Sequence, residues 1–271
     1  MDLSFVEKNW TRRAQGDIQE EISAWDSVAE DYVPDGETAL QNDPFLKYLH
    51  EKGILNQNMR VLDVGCGAGA YTIALAGAVG EAVGVDFSPK MIETAKRSAR
   101  ERNIGNVAFY ERDWFRTPAD EFMGKYDLAF AHTTPAVSDY TTLVKLMDAS
   151  RRYCVLCKPA RRTDEVFDQV RCLAGCGENR TDDAVAYAFD TVWGHGYNPE
   201  VTYQETVWKS EKTLEEARRW YLGRLKGSAA LDDRTEKKIR AFLEEISKDG
   251  MVSETVRTTL VNIFWEKERR G

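Results

Sequence analysis

Between residues 60 and 157 the chain alternates two textures. Short runs that are apolar or β-branched almost throughout (RVLDV from Arg60, EAVGVD ending at Asp86, NVAFYE from Asn106, YDLAFA from Tyr126 and RYCVLC ending at Cys157) are the pattern of strands buried on both faces. The stretches between them, near Ala70–Val79, Pro89–Arg102 and Tyr140–Ser150, carry their apolar residues at helical spacing. Strands that alternate with helices predict a parallel sheet covered by helices on both faces.

The flanks read differently. Ile18, Ile22, Trp25, Ala29 and Tyr32 recur at spacings of three and four, which predicts an amphipathic helix over 18–32. A shorter apolar pattern, Leu3, Val6, Trp10 and Ala14, precedes it, and Asp43-Pro44 supplies a cap and first-turn proline for a helix through Lys52. Past Cys157, Thr163–Leu173 reads as a helix and Val201–Lys209 and Thr255–Glu266 read as long strands. Charged amphipathic helices fall near Leu214–Leu225 and Asp232–Lys248. The expected fold is therefore α/β: a Rossmann-like, seven-stranded, mostly parallel sheet with helices on both faces. An N-terminal helical lid covers 1–42, and the main domain spans 43–271 with a helical cap inserted at about 210–250, before the last strand. That last strand, returning beside its sequence neighbour, is expected to be antiparallel. The lid and the cap helices each have an apolar face to bury, and are expected to roof the site together.

Chemistry concentrates at the first strand–helix junction. Val61–Val64 runs into Gly65-Cys66-Gly67-Ala68-Gly69 and then a helix, and the next strand ends in Asp86. Glycines let the backbone turn sharply and approach a ligand closely. An acid at the end of the second strand, about 20 residues on, is placed to bind the two hydroxyls of a ribose. A pyrophosphate-binding fingerprint would read G-x-G-x-x-G, whereas this turn reads G-x-G-x-G with Asp63 just before it. That carboxylate repels a pyrophosphate and suits an amino-acid ammonium, so the expected ligand is a nucleoside carrying an amino-acid tail.

Composition narrows the partners. A net charge of −8 argues against a nucleic-acid substrate, which calls for a cationic surface. No apolar run approaches the length of a membrane span and the charged N-terminus does not read as a signal peptide, so a cytoplasmic protein without membrane contact is expected. Cys154 and Cys157 sit three apart in a strand and point to opposite faces, and Cys172 and Cys176 lie one helical turn apart; with Cys66 they are read as free thiols, and no metal is expected.

LDVGCGAG followed by VGVDFSPKMIETAK resembles the class I S-adenosylmethionine-dependent methyltransferases. The resemblance covers roughly Trp25 to Lys158 and includes WDSVAEDY, Trp25–Tyr32, similar to the lid segment of small-molecule members. It implies S-adenosyl-L-methionine as cofactor. Asp63 and the turn Gly65, Cys66 and Gly67 would hold the methionine moiety, Asp86 the ribose, and Phe87 and Met91 the faces of the adenine. Asp113 would accept from the adenine amino group and Trp114 would cover the ring, with Tyr32 and Ala131 also placed on the cofactor. His132, in H-T-T-P at the end of the fourth strand, stands where donor and acceptor should meet, and is the candidate general base. The N/D-P-P-Y/F element of amino-directed nucleic-acid enzymes is absent there. Trp25 from the lid and Trp193, His195 and Tyr197 from WGHGYNP, read as a binding loop, are the candidate substrate contacts. The expected activity is methyl transfer to an unidentified small molecule. A non-catalytic cofactor-binding module or partner subunit, and aminopropyl transfer on the same fold, stay open. Oligomeric state is not legible.

Overall fold

The computed structural model describes residues 3–11, 18–33, 43–176, 182–225 and 231–267. In chain order the elements are α1 (Leu3–Asn9), α2 (Ile18–Asp26), a 3-10 turn (Ala29–Tyr32), α3 (Pro44–Glu51), β1 (Arg60–Val64), α4 (Ala70–Leu75), β2 (Glu81–Asp86), α5 (Pro89–Glu101), β3 (Val107–Glu111), β4 (Tyr126–His132), α6 (Tyr140–Ala149), β5 (Ser150–Asp164), α7 (Phe167–Leu173), α8 (Asp182–Gly194), β6 (Glu200–Thr213), α9 (Leu214–Leu225), α10 (Asp233–Ile246) and β7 (Met251–Glu266). The strands form a seven-stranded sheet in the order β3-β2-β1-β4-β5-β7-β6. β1 through β5 pair in parallel, with Asp63 opposite Gly84 on one side and Phe130 on the other.

β7 runs antiparallel to both neighbours. Against β5, Glu165 N–H donates to Thr255 O, Thr258 Oγ1 to Ala160 O and Lys267 N–H to Arg152 O, so partners descend as β7 ascends. Against β6, Ser253 Oγ donates to Glu211, Thr259 Oγ1 to Glu205 and Asn262 Nδ2 to Thr202, with the same reversal. This is the edge expected from the pattern.

Several boundaries differ from the sequence expectation. β5 runs on through Arg161 and Arg162 to Asp164, so the helix expected from Thr163 begins only at Phe167. The long pairing with β7 carries those polar residues as strand. The helix expected over 18–32 breaks at Ser27 into α2 and a 3-10 turn. α8 was not anticipated, and Trp193 and Gly194 form its last turn rather than a loop. Ala14 lies outside the described residues.

The chain divides into two compact units. The first comprises Met1–Lys158, Asp183–Tyr203 and Val261–Gly271, the second Pro159–Asp182 and Gln204–Leu260. In the first, the central strands are buried nearly throughout (Leu62, Val64, Leu128, Phe130, Val155), and α4, α5 and α6 pack on them. The second has its own core of Val166, Phe167, Val170, Tyr221, Leu225, Ile239 and Leu243. Buried Glu254 accepts from Tyr221 Oη (2.7 Å) and Phe167 N–H (3.1 Å), and Asp164 takes a bidentate pair from Arg162.

Candidate active site

All of the site described here belongs to the first unit. β1 delivers the chain to Gly65, which has φ +71° and lies so close to Thr134 that any Cβ would run into the Thr134 Oγ1. Only glycine fits both conditions. The turn is tied to the end of β2: Gly65 and Cys66 N–H both donate to Val85 O, at 2.8 and 3.0 Å. Gly69, at φ +82°, caps α4 against the Phe109 ring.

Three carboxylates stand near the carboxyl ends of successive strands: Asp63 within β1, Asp86 closing β2 and Asp113 just beyond β3. Asp63 is buried, and Thr72 Oγ1 donates to its Oδ2 at 2.7 Å. Burial drives its carboxyl up to about 7, the Thr72 hydroxyl opposing and the Asp86 charge adding to the rise. Asp86 bridges two turns, its Oδ2 accepting from Gly67 N–H (3.0 Å) and its Oδ1 from Ser88 N–H (2.9 Å). Burial raises Asp86 as well, against those backbone hydrogen bonds. Asp113 uses Oδ1 on Phe115 N–H (2.9 Å), while its buried Oδ2 accepts no hydrogen bond and has only the Arg116 guanidinium at 3.5 Å. Buried acceptors are almost always satisfied, so this oxygen marks a place for a donor.

A narrow crevice runs along these groups. It is lined by Gly65, Val85, Asp86, Phe87, Arg112 to Phe115 and Thr134 to Ala136, and by Ile18 and Glu21 of α2. α2 is latched there: Asp26 Oδ1 accepts from Ser88 Oγ (2.5 Å) and Lys90 N–H (3.3 Å). Ser88 itself caps α5 through Met91 N–H, with Pro89 in the first turn.

Of the residues singled out from the sequence, Gly65, Asp86, Phe87, Asp113 and Trp114 meet on this crevice. Trp114 is buried, and its Nε1 donates to Thr142 O. Met91 packs with Ala29 and Ala68, under Trp25 and Val28, rather than on the crevice wall. Trp25 meets the half-exposed Tyr32 edge-on at 5.9 Å. Ala131 and Cys66 are buried, the latter with its thiol pushed well above its ordinary value by burial. His132 sits between the Phe45 and Tyr71 rings, at 4.6 and 4.4 Å, and burial pulls its pKa down to about 4, Asp43 opposing. Trp193 is half exposed and stacks on Phe189; His195 Nε2 lies 3.3 Å from Tyr140 Oη; Tyr197 N–H closes the end of α8 on Val192 O. None of these three lines the crevice. Reading the sequence missed Asp26, Lys145 and Lys158, whose partners lie far off in the chain.

The strand order and crevice are those of an α/β sheet open at the carboxyl ends of its strands, where such sheets take their ligands. Residues 55–218, more than half of the chain, match a family model described as a methyltransferase domain. The chain belongs to that family, and with it to the class I S-adenosylmethionine-dependent methyltransferases. Among solved structures, the YcgJ protein from Bacillus subtilis superposes with a TM-score of 0.51 at 18% identity, over 83% of this chain and 98% of that one. Magnesium protoporphyrin IX methyltransferase from Synechocystis PCC 6803, with bound S-adenosylmethionine, gives 0.51 at 16%, over 93% and 99%. Both likenesses concern the fold. Curated relatives match over shorter lengths. The 23S rRNA (uracil(1939)-C(5))-methyltransferase RlmD of Xylella fastidiosa is 43% identical over 61 residues, 22% of this chain and 14% of that protein. Its counterpart in Shewanella amazonensis is 35% identical over 104 residues, 37% and 23%. The chain thus spans less than a quarter of these relatives' length, and their names leave the expectation of a non-nucleic-acid partner undecided. Among the described residues no helix is long and apolar enough to cross a membrane.

Proposed function

We propose that this protein transfers a methyl group from S-adenosylmethionine to a small-molecule acceptor. The observation that carries the cofactor assignment is the pair Asp86 and Asp113 on the crevice, at the end of β2 and just beyond β3, with the buried Asp113 Oδ2 accepting no hydrogen bond and Asp63 close by on β1. The residues fit the cofactor. Asp86 has lone pairs left for ribose hydroxyls, Asp113 Oδ2 suits an exocyclic amino group, and Asp63 beside the glycine turn suits an ammonium. Phe87 and Trp114 offer apolar ring surface for the base.

Held by Asp86, Asp113 and the glycine turn, the cofactor would supply an activated methyl group for direct transfer to an acceptor's lone pair, its sulfur leaving as a neutral thioether. The protein's part is then to align and to exclude water. Ile18 and Glu21 of α2 line the crevice, which favours a compact acceptor over a polymer. His132, held between Phe45 and Tyr71 and lowered to about 4, is a weak base that does not line the crevice, so no proton step of the transfer is assigned to it.

Incubation with methyl-labelled cofactor and separated cell fractions tests this. Label is expected in the low-molecular-weight fraction. Label found in RNA would overturn the small-molecule reading, and label found nowhere, with tight cofactor binding, would favour the binding module.

A further inference from the structure

Two buried lysines stand behind the crevice and are wired differently. Lys145 of α6 donates to the carbonyls of Trp114 (2.5 Å), Phe115 (3.3 Å) and Thr117 (2.5 Å), which uses all three of its hydrogens. It ties down the segment that carries Asp113. Lys158 of β5 is as buried, at 8% exposure, yet among the described residues it makes one hydrogen bond, to Thr134 O at 2.9 Å, and no ion pair.

The turn it holds is built tightly. Thr133 is left-handed at φ +49°, and its N–H donates to Cys157 O at 3.0 Å. Thr134 Oγ1 accepts from Ala136 N–H, and its side chain rests on Gly65. Thr134, Pro135 and Ala136 form the crevice wall facing the glycine turn. A left-handed β-branched threonine is a strained conformation that persists only where its surroundings hold it. The ammonium is the side-chain group that reaches the Thr134 peptide from behind.

We propose that Lys158 is a positioning residue of the cofactor crevice: its ammonium fixes the Thr134 peptide, and so the spacing between that wall and Gly65. The proposal rests on the crevice being the S-adenosylmethionine site. A charged donor makes a hydrogen bond roughly twice as strong as a neutral amine does. Burial lowers Lys158 to about 8, with Cys157 on the same strand and Asp139 at the start of α6 pulling the other way. Burial pushes the Cys157 thiol up to about 12, and His132, opposite Cys157 on β4, has given up its proton by about pH 4. Neither of them titrates near pH 8, and Asp63, at about 7, is present alike in wild type and variants, so a change in their affinity ratio belongs to Lys158.

The test is calorimetric binding of S-adenosylhomocysteine to the full chain and to Lys158→Met and Lys158→Arg, between about pH 7 and pH 9.5. Arginine stays charged over this range. At pH 7 the methionine variant is expected to bind about tenfold more weakly and the arginine variant close to wild type. As pH rises, wild type is expected to lose affinity relative to Lys158→Arg and to approach Lys158→Met. The ligand's own amine titrates alike in all three, so the ratios carry the result. Should Lys158→Met not fold, the wild-type to Lys158→Arg ratio decides alone. A deficit in Lys158→Met that is unchanged with pH, or a constant wild-type to Lys158→Arg ratio, overturns the proposal. Failure of wild type to bind at any pH overturns the cofactor reading, and the proposal with it.

Discussion

Asp63 and Asp86 are both carboxylates beside one turn, but their surroundings give them different work. Asp63 carries a single hydroxyl partner and is raised to about 7, above the ordinary 3.8. An acid whose folded pKa exceeds its unfolded one stabilises the fold below the unfolded value, and that stabilisation is lost as pH rises through the folded one. The Asp63 contribution is therefore expected to be lost between about pH 4 and pH 7, while His132, lowered to about 4, contributes with the opposite sign over much of that window, so thermal melts of wild type against Asp63→Asn register the Asp63 part. A ligand ammonium placed beside Asp63 reverses the preference, so binding near pH 6.5 should release a proton from it. Calorimetry in two buffers of different ionisation enthalpy measures that release; equal heats would place the ammonium elsewhere. Asp86 instead joins the Gly67 and Ser88 backbones. Asp86→Ala is expected to weaken S-adenosylhomocysteine binding by about 1.5–3 kcal/mol, the scale of hydrogen bonds to a charged group, and unchanged affinity would remove Asp86 from the site. Both acids were legible because strand, glycine turn and acid are close in sequence. Lys158 was not, because its significance lies in a carbonyl on another strand's turn and in its having no ion pair among the described residues.

At the scale of elements, α2 is the cover whose attachment can be cut at one point. Asp26 holds the start of α5 through Ser88 and Lys90, and the Glu30–Arg97 pair at the 3-10 turn is largely exposed and contributes little. Asp26→Ala is expected to speed amide hydrogen exchange across 18–33 and to weaken cofactor binding by about 1 kcal/mol, since Ile18 and Glu21 come with the helix. Exchange unchanged in that segment would show α2 held by its Trp25–Met91 packing alone. The periodicity of 18–32 was readable, but its break at Ser27 was not, because the apolar spacing continues across it. β5 was underestimated for a related reason. Arg161 and Arg162 end the apolar run, yet Arg162 satisfies Asp164 and lies over Trp208, so charge is accommodated inside a strand. α8 escaped because its apolar residues fall on several sides and its last turn contains glycine.

At the scale of the whole molecule, the two units carry different risks. The second holds the buried Glu254, satisfied by one phenol and one backbone amide. Tyr221→Phe leaves Glu254 Oε2 without its donor and is expected to cost about 1–3 kcal/mol in denaturant unfolding, with cofactor affinity unchanged because the crevice residues belong to the first unit. The division also bears on how the protein is made. The first unit draws on residues 261–271, where Ile263 and Trp265 are fully buried and Lys267 Nζ donates to Met147 O and Ser150 O at 2.8 Å. A ribosome delivers these residues only after every part of the second unit has emerged. The space that Trp265 fills therefore stays open during that part of translation, and a chain halted between β6 and β7 would present it to whatever chaperone is at hand.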